Sequence, residues 1–193
     1  ILVFNMPSIP QRGYATRVYD NEVNNNNTAN FAAPGTAVSG VPAGSGVMIN
    51  SNDQVEIFNN RIANNNTANI VISSYFSANY AGQQKLAAEF DPYPEEILIY
   101  DNTFLGGGTA PGFEYLVQVR DAIYGPTGAF PDIIWDGIID PNKPEEKQVI
   151  CVANGDAQLL NIDAGNEFKG AGVDMQRHNC TVAKLAPIEL TGN

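Results

Sequence analysis

The chain has 193 residues, 44% of them hydrophobic, which is long enough for one domain with a continuous core and too apolar for a disordered polymer. Ten Lys and Arg stand against 21 Asp and Glu, and the formal charge of −11 excludes a surface built for nucleic acid or other polyanions while favouring weak attraction of divalent cations. No stretch approaches the roughly 18 apolar residues of a membrane span, and no basic segment followed by an apolar one opens the chain as a leader would.

Ile1-Leu2-Val3-Phe4 is an apolar run that reads as the interior of a strand. It predicts a processed or truncated chain in which missing N-terminal repeats, or another chain, stack on residues 1–5, and an uncovered edge that self-associates. Val18-Tyr19-Asp20-Asn21-Glu22-Val23 then opens a motif (apolar, aromatic, Asp or Asn, Asn, any residue, apolar) that returns as Ile57-Phe58-Asn59-Asn60-Arg61-Ile62 and as Ile99-Tyr100-Asp101-Asn102-Thr103-Phe104. The first two copies continue in parallel, Asn26-Asn27-Thr28-Ala29-Asn30-Phe31 against Asn65-Asn66-Thr67-Ala68-Asn69-Ile70, at a constant offset of 39. Gly46-Val47-Met48-Ile49-Asn50 and Asn69-Ile70-Val71-Ile72-Ser73 are short strands 23 residues apart at Met48 and Val71, the length of one turn of a β-solenoid. Residues 32–44 and 76–95, rich in Ala, Gly and Pro, predict loop inserts, with a short helix over Gln83 to Phe90. The longer offsets between motif copies predict further strands concealed between them.

In such a stack, alternation as in Val55-x-Ile57 buries one face of each strand in a column. The amides of Asn21, Asn60 and Asn102 can each donate to one neighbour and accept from the other, and they read as a structural ladder. After Gly112 the pattern stops. Tyr115 to Ile123 places Leu116, Val119 and Ile123 on one side of a helix, Ile133-Ile134-Trp135 predicts a buried strand, and Asn154-Gly155 between two apolar runs is a type I′ hairpin signal. Residues 1–112 are therefore expected to form the repeats, and residues 113–193 a cap with a short helix and a β-hairpin. A disulfide between Cys151 and Cys180 is the simplest account of the two cysteines, with two buried free thiols as the alternative; a disulfide implies export to the periplasm, cell surface or medium.

The repeat resembles that of the parallel β-helix in pectate lyases, polygalacturonases and alginate epimerases. Gly40-Val41-Pro42-Ala43-Gly44-x-Gly46-Val47-Met48, Asp91-Pro92-Tyr93-Pro94-Glu95 and Ile133-Ile134-Trp135-Asp136-Gly137 carry a closer likeness, over most of the chain, to an uncharacterised group of exported bacterial parallel β-helix repeat proteins, some of them lipoproteins. The resemblance implies an all-β fold, a right-handed parallel β-helix (solenoid) with loop inserts and a C-terminal capping segment, and relatives with further turns before residue 1. It leaves the function open.

Candidate chemistry is sparse. Gly106-Gly107-Gly108 lacks the Gly-Lys-Ser/Thr of a phosphate loop, and His178, the only histidine, sits beside Asn179-Cys180 without the partners of a triad or a zinc site. Uronate β-elimination needs cations around the sugar carboxylate, yet Arg12, Arg17 and Arg61 fall singly on the repeats, so a polyanionic substrate would need Ca2+ as a bridge. Asp20 and Asp101, at equivalent turns, are the candidate acid pair for inverting glycoside hydrolysis, which needs carboxyl groups roughly 6.5–9.5 Å apart. Tyr19, Phe58 and Tyr100 fall one residue past a buried aliphatic position and face outward, as a stacking platform for sugar rings or as a satellite core beneath the two inserts. Two function classes follow: an extracytoplasmic carbohydrate-interacting protein, which as an enzyme would be a polysaccharide lyase, epimerase or glycoside hydrolase, and a non-catalytic scaffold or partner-binding solenoid. No cofactor motif is present, and Ca2+ is the one ion the composition invites.

Overall fold

Short runs in which β-branched residues alternate with polar ones set the local structure: in one such run Val55 and Ile57 are fully buried while Gln54 is exposed. A computed structural model of the chain describes residues 1–77 and 85–187. Strands come in threes along the chain. The first set is β1 (Leu2–Phe4), β2 (Tyr14–Tyr19) and β3 (Glu22–Asn24), the second β4 (Ser45–Asn50), β5 (Asp53–Phe58) and β6 (Arg61–Ala63), and the third β7 (Ala68–Ser73), β8 (Ile97–Tyr100) and β9 (Thr103–Leu105). Then follow α1 (Glu114–Tyr124), β10 (Ile133–Trp135), β11 (Ile150–Ala153), β12 (Leu159–Asn161), β13 (Gly172–Val173) and α2 (Met175–His178).

Each member of a set joins a different sheet: β1-β4-β7-β10-β12-β13, β11-β8-β5-β2, and β3-β6-β9. All pairings are parallel except β12 with β13. Met48 pairs with Val71, Val18 with Ile57 and Ile57 with Ile99, so copies 39 and 42 residues apart are direct neighbours in their sheet, with none of the expected further strands inserted between them there. The inward residues, among them Val47, Ile49, Ile57, Ile62, Ile72 and Ile99, make one column of core.

The all-β right-handed parallel β-helix expected from the resemblance is not what the chain forms. The three sheets are separate ladders of six, four and three strands; none closes into a solenoid, the first is mixed, and two helices belong to the fold. The third sheet ends early for a local reason. Gly106, Gly107 and Gly108, all at positive φ, turn the chain away after β9, and after β11 residues 154–158 lead straight to β12. The strands flanking Asn154-Gly155 lie in different sheets and do not form the expected hairpin; β12 pairs with β13 instead. β10 to β13 thus add strands to the first two sheets. The helix expected over Gln83 to Phe90 falls partly outside the described residues, and residues 85–90 are not helical.

α1 buries Leu116 and Val119 against the outer face of the first sheet, where Met48, Val71 and Ile134 form a second apolar cluster. It stops at Gly125, whose φ of 78° suits glycine at a helix end. Cys151 and Cys180 form a disulfide that ties β11 to the C-terminal segment. Closing a loop with a sequence separation of 29 stabilises the fold by about 3–4 kcal/mol in the chain-entropy account.

The corners are held by asparagine. The Asn60 Oδ1 accepts from the backbone N–H and the Nδ2 of Asn21, and its own Nδ2 donates to Val18 O, Phe58 O and Asn102 Oδ1, all at 2.9–3.1 Å. Asn102 repeats this against Asn154, which extends the column by one position, and Asn26 and Asn65 begin a second column. Asn60→Ala should cost about 3 kcal/mol, because it leaves buried donors and acceptors unmatched on both neighbours. Asn21→Ala, at the end of the column, should cost less than half of that by urea unfolding; equal costs would disprove the cooperative role.

Candidate functional site

The residues that the sequence marks for chemistry end up apart. Tyr19, Phe58 and Tyr100 close β2, β5 and β8 in register and stack face to face, with centroids 5.1 and 4.9 Å apart and planes within 4° and 10°. Such a column uses its π faces internally and turns ring edges outward, so only a terminal ring can offer a face to a sugar. Tyr100 holds the Lys184 ammonium 3.8 Å from its ring centroid, and Tyr19, 50% exposed, ends the column on the other side. The C-terminal segment lies over this sheet: Leu185 N–H donates to Glu56 Oε1, and the Arg17 guanidinium, paired with Glu56, donates to Ala186 O.

Asp20 and Asp101 occupy left-handed corners, φ 56° and 53°, as does Asn59 between them at 53°. Asp tolerates that conformation, which accounts for both positions. With β2, β5 and β8 directly adjacent, the two aspartates lie two strand spacings, about 9.6 Å, apart. Both are exposed, and of the two only Asp101 borders the shallow cleft that contains Asp132 and Asp156.

A denser cluster forms from residues whose ligand role the sequence does not announce. Asp53 opens β5, and a backbone bridge joins it to Glu95 in the segment leading to β8. Pro92 and Pro94 restrict the backbone between Asp91 and Glu95, and Asp91 Oδ1 accepts from Tyr93 N–H. One oxygen from each of Asp53, Asp91 and Glu95 lies within 4.8 Å of the other two, an arrangement that could hold a metal ion. Arg12 donates through Nε and Nη2 to Asp53 Oδ2 at 2.9 and 2.7 Å, and Lys143 Nζ lies 2.7 Å from both Asp91 Oδ2 and Glu95 Oε2.

With all three carboxyls ionised, the cluster carries one negative charge more than its two cations neutralise. Two oxygens, Asp53 Oδ1 and Glu95 Oε1, are buried with no hydrogen-bond partner, on residues only 2% and 5% exposed. Burial pushes Asp53 up to about 7, against the hydrogen bond from Arg12 and with the charges of Asp91 and Glu95 adding to the rise. Glu95 is raised mainly by burial, opposed by Lys143. An all-oxygen, carboxylate-rich set suits a hard cation. The Asp91-Pro92-Tyr93-Pro94-Glu95 phrase was the visible signal; Asp53 had none, because only strand register brings it there.

No family model, curated protein or solved structure matches the chain. Among the described residues no helix is long and apolar enough to cross a membrane. The disulfide is consistent with an oxidising, extracytoplasmic location.

His178 serves structure. It is 3% exposed, its Nδ1 donates to Ile150 O at 2.8 Å next to the disulfide, and its ring meets the Trp135 ring edge-on. Burial lowers its pKa below the ordinary 6.5, the Ile150 hydrogen bond opposes that, and Arg177 adds to it. The fold therefore favours the neutral ring. Stability from this group is complete above pH 6.5 and is lost as pH falls below it toward the depressed value, where the unfolded chain binds the extra proton. His178→Gln should flatten the acid limb of the stability curve measured by urea unfolding; an unchanged slope between pH 5 and pH 7 would refute this.

Proposed function

We propose that the chain is a non-catalytic, extracytoplasmic binding module that takes up a divalent cation of the Ca2+ class at Asp53, Asp91 and Glu95. The carrying observation is the pair of buried carboxylate oxygens, Asp53 Oδ1 and Glu95 Oε1, that no donor satisfies. Lys143 and Arg12 leave room for an ion: their side chains are 30% and 50% exposed and can swing to solvent when it enters. The bound ion would clamp two chain segments, the start of β5 at Asp53 and the approach to β8 that carries Asp91 and Glu95. The net charge of −11 favours its arrival. In thermal unfolding, Ca2+ at a hundredfold excess over its Kd should stabilise the protein by about 2.7 kcal/mol relative to EDTA. Glu95→Gln should remove that shift, whereas identical curves in Ca2+ and EDTA would leave the cluster as an ion-pair network and nothing more.

A second reading, binding of polysaccharide, draws on the half-exposed ring of Tyr19 at the end of the aromatic column. A sugar C–H face would extend the stack by one member. On a glycan array Tyr19→Ala should abolish binding, and Phe58→Leu, whose ring has a neighbour on each face, should weaken it far less. Absence of any glycan signal would favour the scaffold alternative.

A further inference from the structure

Away from the acidic cluster, a cleft of about 240 Å³ opens between the outer face of the first sheet and α1. Met48, Val71, Ile134 and Leu116 line it with apolar side chains, and the Tyr115 and Phe168 rings, stacked 6.1 Å apart, lie together at its side. Asp136, the residue after β10, lies at its base and is 3% exposed. Its carboxylate accepts from Ser74 N–H and Ser77 Oγ on Oδ2, each at 2.6 Å, and from Ile138 N–H on Oδ1 at 3.1 Å. These donors are all neutral. The Ser74 hydroxyl is a further donor to the carboxylate, and burial raises the pKa of Asp136 against all of these bonds.

The counter-charge is missing. All ten Lys and Arg lie among the described residues, and none is ion-paired with Asp136. Buried carboxylates are ordinarily matched by a cation, because desolvation without one is costly. Here burial favours the neutral carboxyl in the free protein, and an ammonium ion entering the concave apolar surface beside it would supply the counter-charge that restores the carboxylate. Tyr115 stays a neutral hydroxyl, since burial and the nearby Asp136 push it up to about 12.

We propose that this cleft binds a small organic ammonium ion, its nitrogen beside the Asp136 carboxyl and its apolar body against Met48, Val71 and Leu116. A cavity of about 150 Å³ accommodates benzene, so the cleft has room for one ring carrying an aminomethyl group. The test is calorimetric titration of the whole chain with benzylamine and with its neutral counterpart, benzyl alcohol, at neutral pH. Benzylamine should saturate a single site and bind at least tenfold tighter than the alcohol. Asp136→Asn should erase that preference. Ala164→Trp, which fills the cleft without altering Asp136, should abolish binding of both and decides the matter if Asp136→Asn does not fold by circular dichroism. Equal affinities for amine and alcohol, no binding of either, or amine binding that survives Ala164→Trp would each overturn the proposal.

Discussion

One constraint governs the molecule: every strand must sit in register above its predecessor so that the corner asparagines meet. The Asn60 amide is satisfied from both sides, since its Oδ1 accepts from Asn21 and its Nδ2 donates to Asn102 Oδ1 as well as to the Val18 and Phe58 carbonyls. A slip by one residue would turn Val55 and Ile57 outward and leave those amides unmatched in the same step. Hydrophobic burial and polar satisfaction therefore enforce the same register. The left-handed corners that precede each asparagine, at Asp20, Asn59 and Asp101, recur for the same reason.

Register also builds the acidic cluster. Asp53 faces Tyr14 on one side and the approach to β8 on the other, so fixing the ladder fixes where Asp53 stands relative to Glu95. The long connection before β8 then supplies Asp91, and that before β11 supplies Lys143. These segments carry few strand hydrogen bonds of their own, and charge interactions hold them to the sheet edge.

The two outer faces are treated differently. α1 lies over the first sheet and leaves a cleft beside Asp136, whereas the second sheet is overlain by residues 184–186, downstream of the disulfide. The aromatic column at the end of that second sheet is a mechanical feature first. Its stacking reinforces the register, and Lys184 at Tyr100 couples it to the C-terminal segment.

Much of the local order was legible in the sequence, because it depends on residue type at fixed spacing. The motif copies, the offset of 39 between Val18 and Ile57, the match of Met48 with Val71, the helix around Leu116 and Val119, and the asparagine ladder all follow from periodicity and side-chain chemistry. Closure was not legible. Whether the sheets join into a solenoid depends on how many strands each receives, and that turned on the glycine run after β9 and on the direct passage from β11 to β12. The phrases Asp91 to Glu95 and Ile133 to Gly137 stood out in the sequence, but their partners Asp53, Lys143, Ser77 and Tyr115 lie tens of residues away. Such convergence is a property of register and packing, so the residue types were set by the sequence alone while their assembly into sites was decided only by the tertiary structure.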